Sequence, residues 1–254
     1  DFLSMMTFDP QLCESAAECG LGSFRIMAGA FDRQAVKSEL LSYEGPFGVG
    51  YAVACFEPDG ADESRAFDVL CRQEESRRMN EIRRQEDAYV RLARNTVETF
   101  VKTRGTPALP NDLPQEMTES RAGVFVSLKI QGKLRGCIGT ISAVTDSIAE
   151  EIVRNAVSAC SEDPRFSPVT AGELERIDYS VDVLGPTEKI DSADALDVAR
   201  YGVIVTSGYR KGLLLPNLEG VDTVEEQLRI AKRKAGIPAS ERCRMERFEV
   251  VRHK

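Results

Sequence analysis

The stretch LRGCIGTIS, residues 134 to 142, holds the side chains best suited to chemistry: Arg135 and Cys137, two positions apart, between Gly136 and Gly139. A guanidinium grips carboxylate or phosphate with a planar fork of donors, and a thiol becomes a nucleophile once deprotonated. Glycine inside a strand marks a bulge or close approach of backbone to something else. Here that is a ligand or a packed neighbour.

The apolar pattern sets the expected pairing. Val124, Val126, Leu128 and Ile130 alternate as a strand, and LRGCIGTI follows as its partner. A three-residue loop, Gln131-Gly132-Lys133, would set Ile130 against Leu134, Leu128 against Gly136 and Val126 against Ile138, one continuous apolar face. A two-residue loop would set Leu128 against Arg135. The three-residue loop is therefore preferred, and it suits a glycine bulge. On the other face Lys129 would lie opposite Arg135, and Ser127 opposite Cys137. Two facing cations call for an anion between them. They would also lower the thiol's pKa. The expectation is an anion pocket containing a nucleophile, with Lys129, Arg135, Gly136 and Gly139 as ligand-binding positions. Against it stands the ordinary role of cysteine as a small buried hydrophobe.

SEDPRFSPV (161–169) supplies a second group, Asp163 and Arg165 in a proline-stiffened loop. They read as a catalytic carboxylate and an anion-binding guanidinium, or as an internal staple of the loop. Glu188, after the turn Gly185-Pro186, is a third carboxylate that could orient the thiol, or a solvated loop residue. The run Lys232-Arg233-Lys234 reads as cations complementing a helix C-terminus. No glycine-rich phosphate cradle occurs.

The elements that must position these groups interleave. Tyr89, Leu92, Ala93, Val97 and Phe100 recur at helical spacing, with Gly105 as a stop. Ser147 with Glu150, and Thr223 with Glu226, form capping boxes ahead of two further helices. DYSVDVL (178–184) alternates as a strand, VIVTS and LLL flank the turn GYRKG (208–212), and RFEVVR (247–252) is a last strand. Toward the start, CGLGSFRIMAGAF (19–31) predicts a short helix. VKSELLSYEG and GVGYAVACF predict two strands around EGPFG (44–48). Residues 61–86 predict a charged, solvated helical linker. The fold class expected is α+β, mainly antiparallel sheet flanked by helices in a larger and a smaller subdomain.

Bulk properties narrow the function. The 254 residues carry 33 basic against 41 acidic side chains, a formal charge of −8. That argues against a nucleic-acid or anionic-membrane binder, which needs a basic footprint. No apolar run is long enough to span a bilayer, and no signal-peptide pattern opens the chain. Seven scattered cysteines without a C-x-x-C pair fit a reducing cytoplasm. The one histidine, His253, rules out a Ser-His-Asp triad, a histidine-rich zinc site or a 2-His-1-carboxylate iron site built from this chain alone. The chain does not begin with Met, which points to a piece of something longer.

LRGCIGT, DPRFSPV with ELERIDYSVDVLGPTEKI, YGVIVTSGYRKGLLLPNLEG and the KAGI ending occur in order and together resemble the AMMECR-type domain, over residues 87–254. The resemblance implies an α+β domain of two subdomains whose biochemical activity is not established. Residues 1–60, from AAECGLGSFRIMAGAFD through LLSYEGPFGVGYAVACF, resemble the end of a class III extradiol dioxygenase-like domain related to the Memo family. That implies a bacterial fusion, a dioxygenase-like domain in cis with iron held upstream, and a radical S-adenosylmethionine protein as partner in a three-part system. No cofactor is expected in residues 1–254 themselves. Three functions follow. The first is binding or transformation of a small anionic molecule at the Arg-Gly-Cys-Ile-Gly strand. The second is a non-catalytic module docking its dioxygenase-like or radical-enzyme neighbour. The third is a component of an extradiol-dioxygenase-type oxidoreductase.

Overall fold

A computed structural model describes residues 2–8, 10–17, 20–45, 48–218 and 220–254. It divides into two compact units, Asp1–Ile82 and Arg83–Lys254. Cys19, Pro46 and Phe47, which belong to the stretches read as helix and turn above, lie outside the described residues.

The N-terminal unit holds helices α1 (Phe2–Met6), α2 (Pro10–Ser15) and α3 (Leu21–Ala30), strands β1 (Gln34–Glu44) and β2 (Tyr51–Ala61), and most of helix α4 (Phe67–Gln85). The two expected strands pair antiparallel, Leu40 opposite Ala54 and Tyr43 opposite Ala52. A small aromatic core forms around Phe2, whose ring centroid lies 5.7 Å from Phe31, 5.1 Å from Phe56 and 6.3 Å from Phe67. The stretch read as a solvated linker is helical from Phe67 to Gln85. The first residue of α4, however, is a core residue: Phe67 is buried, and Leu70 packs against the same cluster. The expected boundary at residue 60 also falls inside β2, which runs through Ala61.

The C-terminal unit is α+β with antiparallel sheets and flanking helices. In order it holds α5 (Ala88–Thr103), α6 (Gln115–Glu119), β3 (Val124–Ile130), β4 (Lys133–Gly139), α7 (Ile148–Ser161), β5 (Ile177–Leu184) and β6 (Glu188–Ile190). Strands β7 (Gly202–Ser207) and β8 (Arg210–Leu214), helix α8 (Val224–Lys234) and strands β9 (Arg244–Phe248) and β10 (Val250–His253) complete it. One sheet has the order β10-β5-β3-β4, the other β6-β9-β7-β8. The stretch expected as one last strand is therefore two. The chain crosses from the second sheet to the first at Glu249, whose carbonyl accepts the Gly185 N–H at 2.9 Å.

The larger core lies between the first sheet and α5 and α7. Val124, Val126, Leu128, Ile177 and Val181 from the strands meet Leu92, Val97, Ile148, Ile152 and Ala156 from the helices. Burying each such aliphatic side chain contributes about 1.5–3 kcal/mol. The Ser and Thr halves of both expected capping boxes form: Ser147 Oγ accepts the Glu150 N–H at 3.2 Å, and Thr223 Oγ1 accepts that of Glu226 at 3.2 Å, while the Glu150 carboxylate accepts from Asp146 N and that of Glu226 from Arg229. Helix α5 stops at Arg104, which takes a left-handed conformation at φ 63, one residue before the expected glycine. The smaller core sets Val203, Val205 and Leu214 against Ala231 of α8. A third cluster, Leu184, Ile204, Leu213 and Phe248 with Phe125 and Val250, joins the two sheets.

The β3–β4 hairpin departs from the expected register in an instructive way. Val126 faces Ile138, Ser127 faces Cys137 and Leu128 faces Gly136, as read from the apolar pattern. The loop, however, has two residues. Gln131 and Gly132 sit at φ 51 and 77, and Ile130 pairs with Lys133 and Lys129 with Leu134. Both positive φ values match the tight turn whose twist suits a hairpin. Arg135 is the extra residue of a bulge between the two registers. The bulge satisfies turn and apolar face together, an option the choice between two- and three-residue loops left out. Lys129 therefore does not face Arg135.

Gly136 is the site of a close approach. A Cβ there would lie 2.3 Å from the Ala159 carbonyl oxygen of α7. We predict that Gly136→Ala lowers stability by about 1–3 kcal/mol through forced displacement of the helix. Gly172→Ala, where a Cβ meets nothing within 4 Å, serves as the comparison. Urea denaturation of the two variants checks this; equal midpoints would contradict it.

Candidate functional site

Strand β4 pairs on one side only, with β3, so its outer backbone groups need other partners. The loop after α7 supplies them at Cys137. Asp163 Oδ2 accepts the Cys137 N–H at 2.9 Å, and Arg165 Nη2 donates to the Cys137 carbonyl at 3.0 Å. Asp163 and Arg165 also bind each other. Arg165 Nε donates to Oδ1 at 2.9 Å, Nη2 to Oδ2 at 2.7 Å, and its backbone N–H to Oδ1 at 3.1 Å. The Asp163 side chain is nearly inaccessible, and hydrogen bonding to Arg165 is the main force holding its carboxyl down at about 2. An acid–base pair thus stands in for a missing neighbouring strand.

Arg135 turns the other way. Its Nε donates to Glu173 Oε1 at 2.7 Å, and its Nη1 to the Ser167 carbonyl at 2.9 Å. Glu173 also accepts from Thr170 N and Oγ1, each at 2.8 Å, and Arg135 above all holds its carboxyl down at about 2. The Phe166 ring lies between the two arginines, its centroid 5.9 Å from the Arg135 guanidinium and 5.5 Å from that of Arg165. The expected hollow shared by Arg135 and Cys137 is therefore not built. The bulge frees Arg135 from the ladder, and Glu173 holds it against the 167–173 loop.

Other expected positions sort as follows. Asp163 and Arg165 converge on Cys137, at its backbone. Lys129 is exposed and pairs in register with Asp178 of β5. Gly136 admits α7. Gly139 admits Phe125, whose ring carbon would lie 2.2 Å from an added Cβ. Both glycines make room for protein. Glu188 is engaged elsewhere: it accepts from Arg247 Nε at 2.9 Å in the second sheet.

Cys137 lies on the sheet face opposite the larger core, in a row with Ser127 and Ser180. Ser127 Oγ donates to its Sγ at 3.2 Å. The thiol's pKa is raised. Burial is the main cause and Asp182 adds to it, while the Ser127 hydrogen bond, Arg165 and Lys234 oppose it. This corrects the expectation of an activated thiolate: with Arg135 withdrawn, desolvation outweighs the remaining cations and the resting thiol keeps its proton.

Lys234 is the residue that spacing did not reveal. It ends α8, and its amine lies close enough to Cys137 and Arg165 for each to act on its charge. Lys234 is an exposed residue; its pKa is lowered, first by desolvation and then by Arg165, against an opposing pull from Cys137. Among the described residues it donates no hydrogen bond, whereas Lys232 in the same turn donates to the carbonyls of Ala239 and Glu241. The carboxylates around the thiol are already engaged, Asp163 as above and Asp182 with Arg252 Nε at 2.6 Å. Arg165 Nη1 likewise has no partner among the described residues. The result is a neutral thiol on which two cations act, each with donors to spare, an arrangement that attracts an anion. No cluster of three or more metal-ligating side chains occurs among the described residues, and no helix among them is long and apolar enough to cross a membrane.

A family model described as AMMECR1 matches residues 90–253. A Clostridium acetobutylicum protein is 47% identical over 253 residues, which is 98% of this chain and 53% of that protein. This chain thus spans about half of that relative's length. A Thermotoga maritima protein is 47% identical over 171 residues, 66% of this chain and 98% of its own. The crystal structure of a Pyrococcus horikoshii protein described as uncharacterized superposes with a TM-score of 0.62 at 33% identity, covering 66% of this chain and 90% of that one.

The two depressed carboxyls fix a pH dependence. Asp163 and Glu173 ordinarily titrate near 3.8 and 4.5 and here near 2, so the fold favours their ionised forms. Their contribution is present above the ordinary values and lost as pH falls toward about 2. Thermal denaturation should be flat above pH 5 and decline between about 4.5 and 2. Asp163→Asn and Glu173→Gln should each start less stable and lose less on acidification. A wild-type-like acid decline in both variants would refute the assignment.

Proposed function

This chain belongs to the AMMECR1 family, and on that premise we propose that its C-terminal unit binds a small anionic molecule between Arg165 and Lys234, against the Cys137 thiol. One observation carries the reading. Arg165 Nη1 and the Lys234 amine have no hydrogen-bond partner among the described residues, both charges act on Cys137, and Asp163 and Asp182 are committed to other partners. Arg165 is held rigid by Asp163, so its free Nη1 is oriented before a ligand arrives, which lowers the ordering cost of binding. Lys234 adds a mobile point charge. Asp163, ionised well below neutrality, is a positioning residue and takes no proton at physiological pH. Cys137 and Ser127 supply hydrogen-bonding groups beside the bound anion.

A second reading, a non-catalytic docking module, is favoured by the protonated state of the thiol and by the strap that Asp163 and Arg165 place on its backbone. In that reading the RGCIG strand is architecture.

We also infer that the N-terminal unit works beside a class III extradiol dioxygenase-like domain in cis, with iron held there and a radical S-adenosylmethionine protein as partner, inside a cytoplasm. Support comes from the resemblance of residues 1–60 and from the β1–β2 ribbon. Leu40, Tyr43 and Tyr51 are 64%, 69% and 61% exposed there, more apolar surface than a two-stranded ribbon carries alone.

The test of the first reading is titration of the protein with inorganic phosphate and with small carboxylates, followed by NMR. Arg165→Ala and Lys234→Ala should each weaken binding by about tenfold or more, the worth of one charge-assisted contact. Saturable binding that ignores both substitutions, or no binding up to millimolar concentration, would leave the docking reading in possession.

A further inference from the structure

Strand β10 is an edge of the first sheet. It pairs with β5 alone, and it begins where the chain has just crossed from the second sheet at Glu249. Four residues of one-sided ladder open easily unless side chains hold them. Two do, one on each face. Away from the larger core, Arg252 lies opposite Asp182 and donates Nε to Oδ1 at 2.6 Å. On the core face, His253 lies opposite Val181. Its ring stacks on that of Tyr89, with centroids 3.8 Å and planes 14° apart, and its Nδ1 lies 2.5 Å from Asp87 Oδ2. The other oxygen of Asp87 caps α5, accepting the Tyr89 and Val90 N–H groups at 2.9 and 3.0 Å. One carboxylate thus joins the start of α5 to the last strand.

The groups facing the imidazole come from three elements. Helix α5 supplies Asp87, Tyr89 and its first N–H groups, whose dipole opposes a cation. From α6, Glu116 accepts the Tyr89 hydroxyl at 3.3 Å and sits behind that ring. From β5 the neighbour is Val181, while Asp182 points to the other face and is held by Arg252. Among the described residues Asp87 is therefore the carboxylate in contact with the ring. The His253 side chain is 15% exposed, so water screens this contact less than a pair on the open surface.

We propose that His253 is a pH-sensitive latch on β10. With two protons the ring is a cation and its contact with Asp87 is an ion pair. With one proton it keeps a hydrogen bond and loses the charge, which weakens the contact. Histidine changes form across about pH 5 to 8, whereas the arginine and carboxylate of the other fastener stay charged throughout. His253 is the one histidine of the chain, so it is the fastener that changes. The sign follows from the contact: the docked strand favours the protonated ring, so docking is firmest at the acid end of that range and loosens as pH rises. Release of β10 takes Arg252 away from Asp182, uncovers the outer edge of β5 and slackens the tie between the two sheets. This device is independent of the anion-binding reading.

The test is amide hydrogen exchange of the full chain, followed by NMR at about pH 5.5 and about pH 8, each amide corrected for its intrinsic chemical rate. The amides of Val250–His253 should be about threefold less protected at the higher pH, and those of β3, inside the same sheet, unchanged. A threefold change displaces a melting transition by only about 1–2 °C in a chain of this size, so local exchange is the readout. The unaltered protein gives this result without any variant having to fold. Asp87→Asn keeps an acceptor for the α5 cap and removes the charge. His253→Phe keeps a ring on Tyr89 and removes the proton. In each variant the protection of β10 should no longer depend on pH. Equal protection of β10 at both pH values in the unaltered protein overturns the latch, and so does a pH dependence that survives Asp87→Asn.

Discussion

The carboxylate of Asp163 is the interaction on which the site depends. It accepts the Cys137 N–H, the Arg165 N–H and two guanidinium donors, while remaining almost wholly out of water. An ionised carboxylate so placed would be costly without compensation, and four donors provide it. The same contacts close the free edge of β4 and aim Arg165. Removing the carboxylate would leave a strand edge open and a guanidinium undirected at once, so edge protection and ligand recognition share one group.

The second constraint is the pair of glycines that let helices approach their sheets. At Gly136 an added Cβ would stand 2.3 Å from the carbonyl of Ala159 in α7; at Gly212 it would stand 2.3 Å from that of Ala231 in α8. Each sheet uses the same device on its own helix. The end of α7 leads directly into the Asp163 loop, and the end of α8 carries Lys234. Helix depth at these two glycines thus sets how near Arg165 and Lys234 come to Cys137. Glycine beside the arginine and cysteine proved to make space for backbone, which then delivers the charged groups.

How much of this was legible in the sequence depended on range. Alternation in β3 and β5, the Ser147 and Thr223 caps and the Ser127–Cys137 pairing all rest on local periodicity or on one hairpin, and they were readable. Arg135 went astray for a specific reason: a bulge allowed the tight Gln131-Gly132 turn and the apolar face to coexist, and a period-two argument has no place for an extra residue. Its partner Glu173 lies 38 positions away, and Lys234 lies still farther from Cys137, so spacing could signal neither. Glu188 looked close because it follows β5, but the chain had already turned into the second sheet. The Asp163–Arg165 pair was visible as a motif, while its attachment to a strand edge was not.

Charge gives the last step. This chain has eight more acidic than basic side chains, so a carboxylate beside any given cation is the common outcome. The Arg165 charge lowers the pKa of Lys234, so the two like charges repel. A fold with carboxylates in surplus has nonetheless left the charges of Arg165 and Lys234 to act on each other and committed Asp163 and Asp182 elsewhere. A carboxylate placed there would relieve the repulsion permanently and occupy the space. Leaving it out keeps the relief available to a molecule that brings its own negative charge, and such a molecule gains by binding the amount the unliganded fold forgoes.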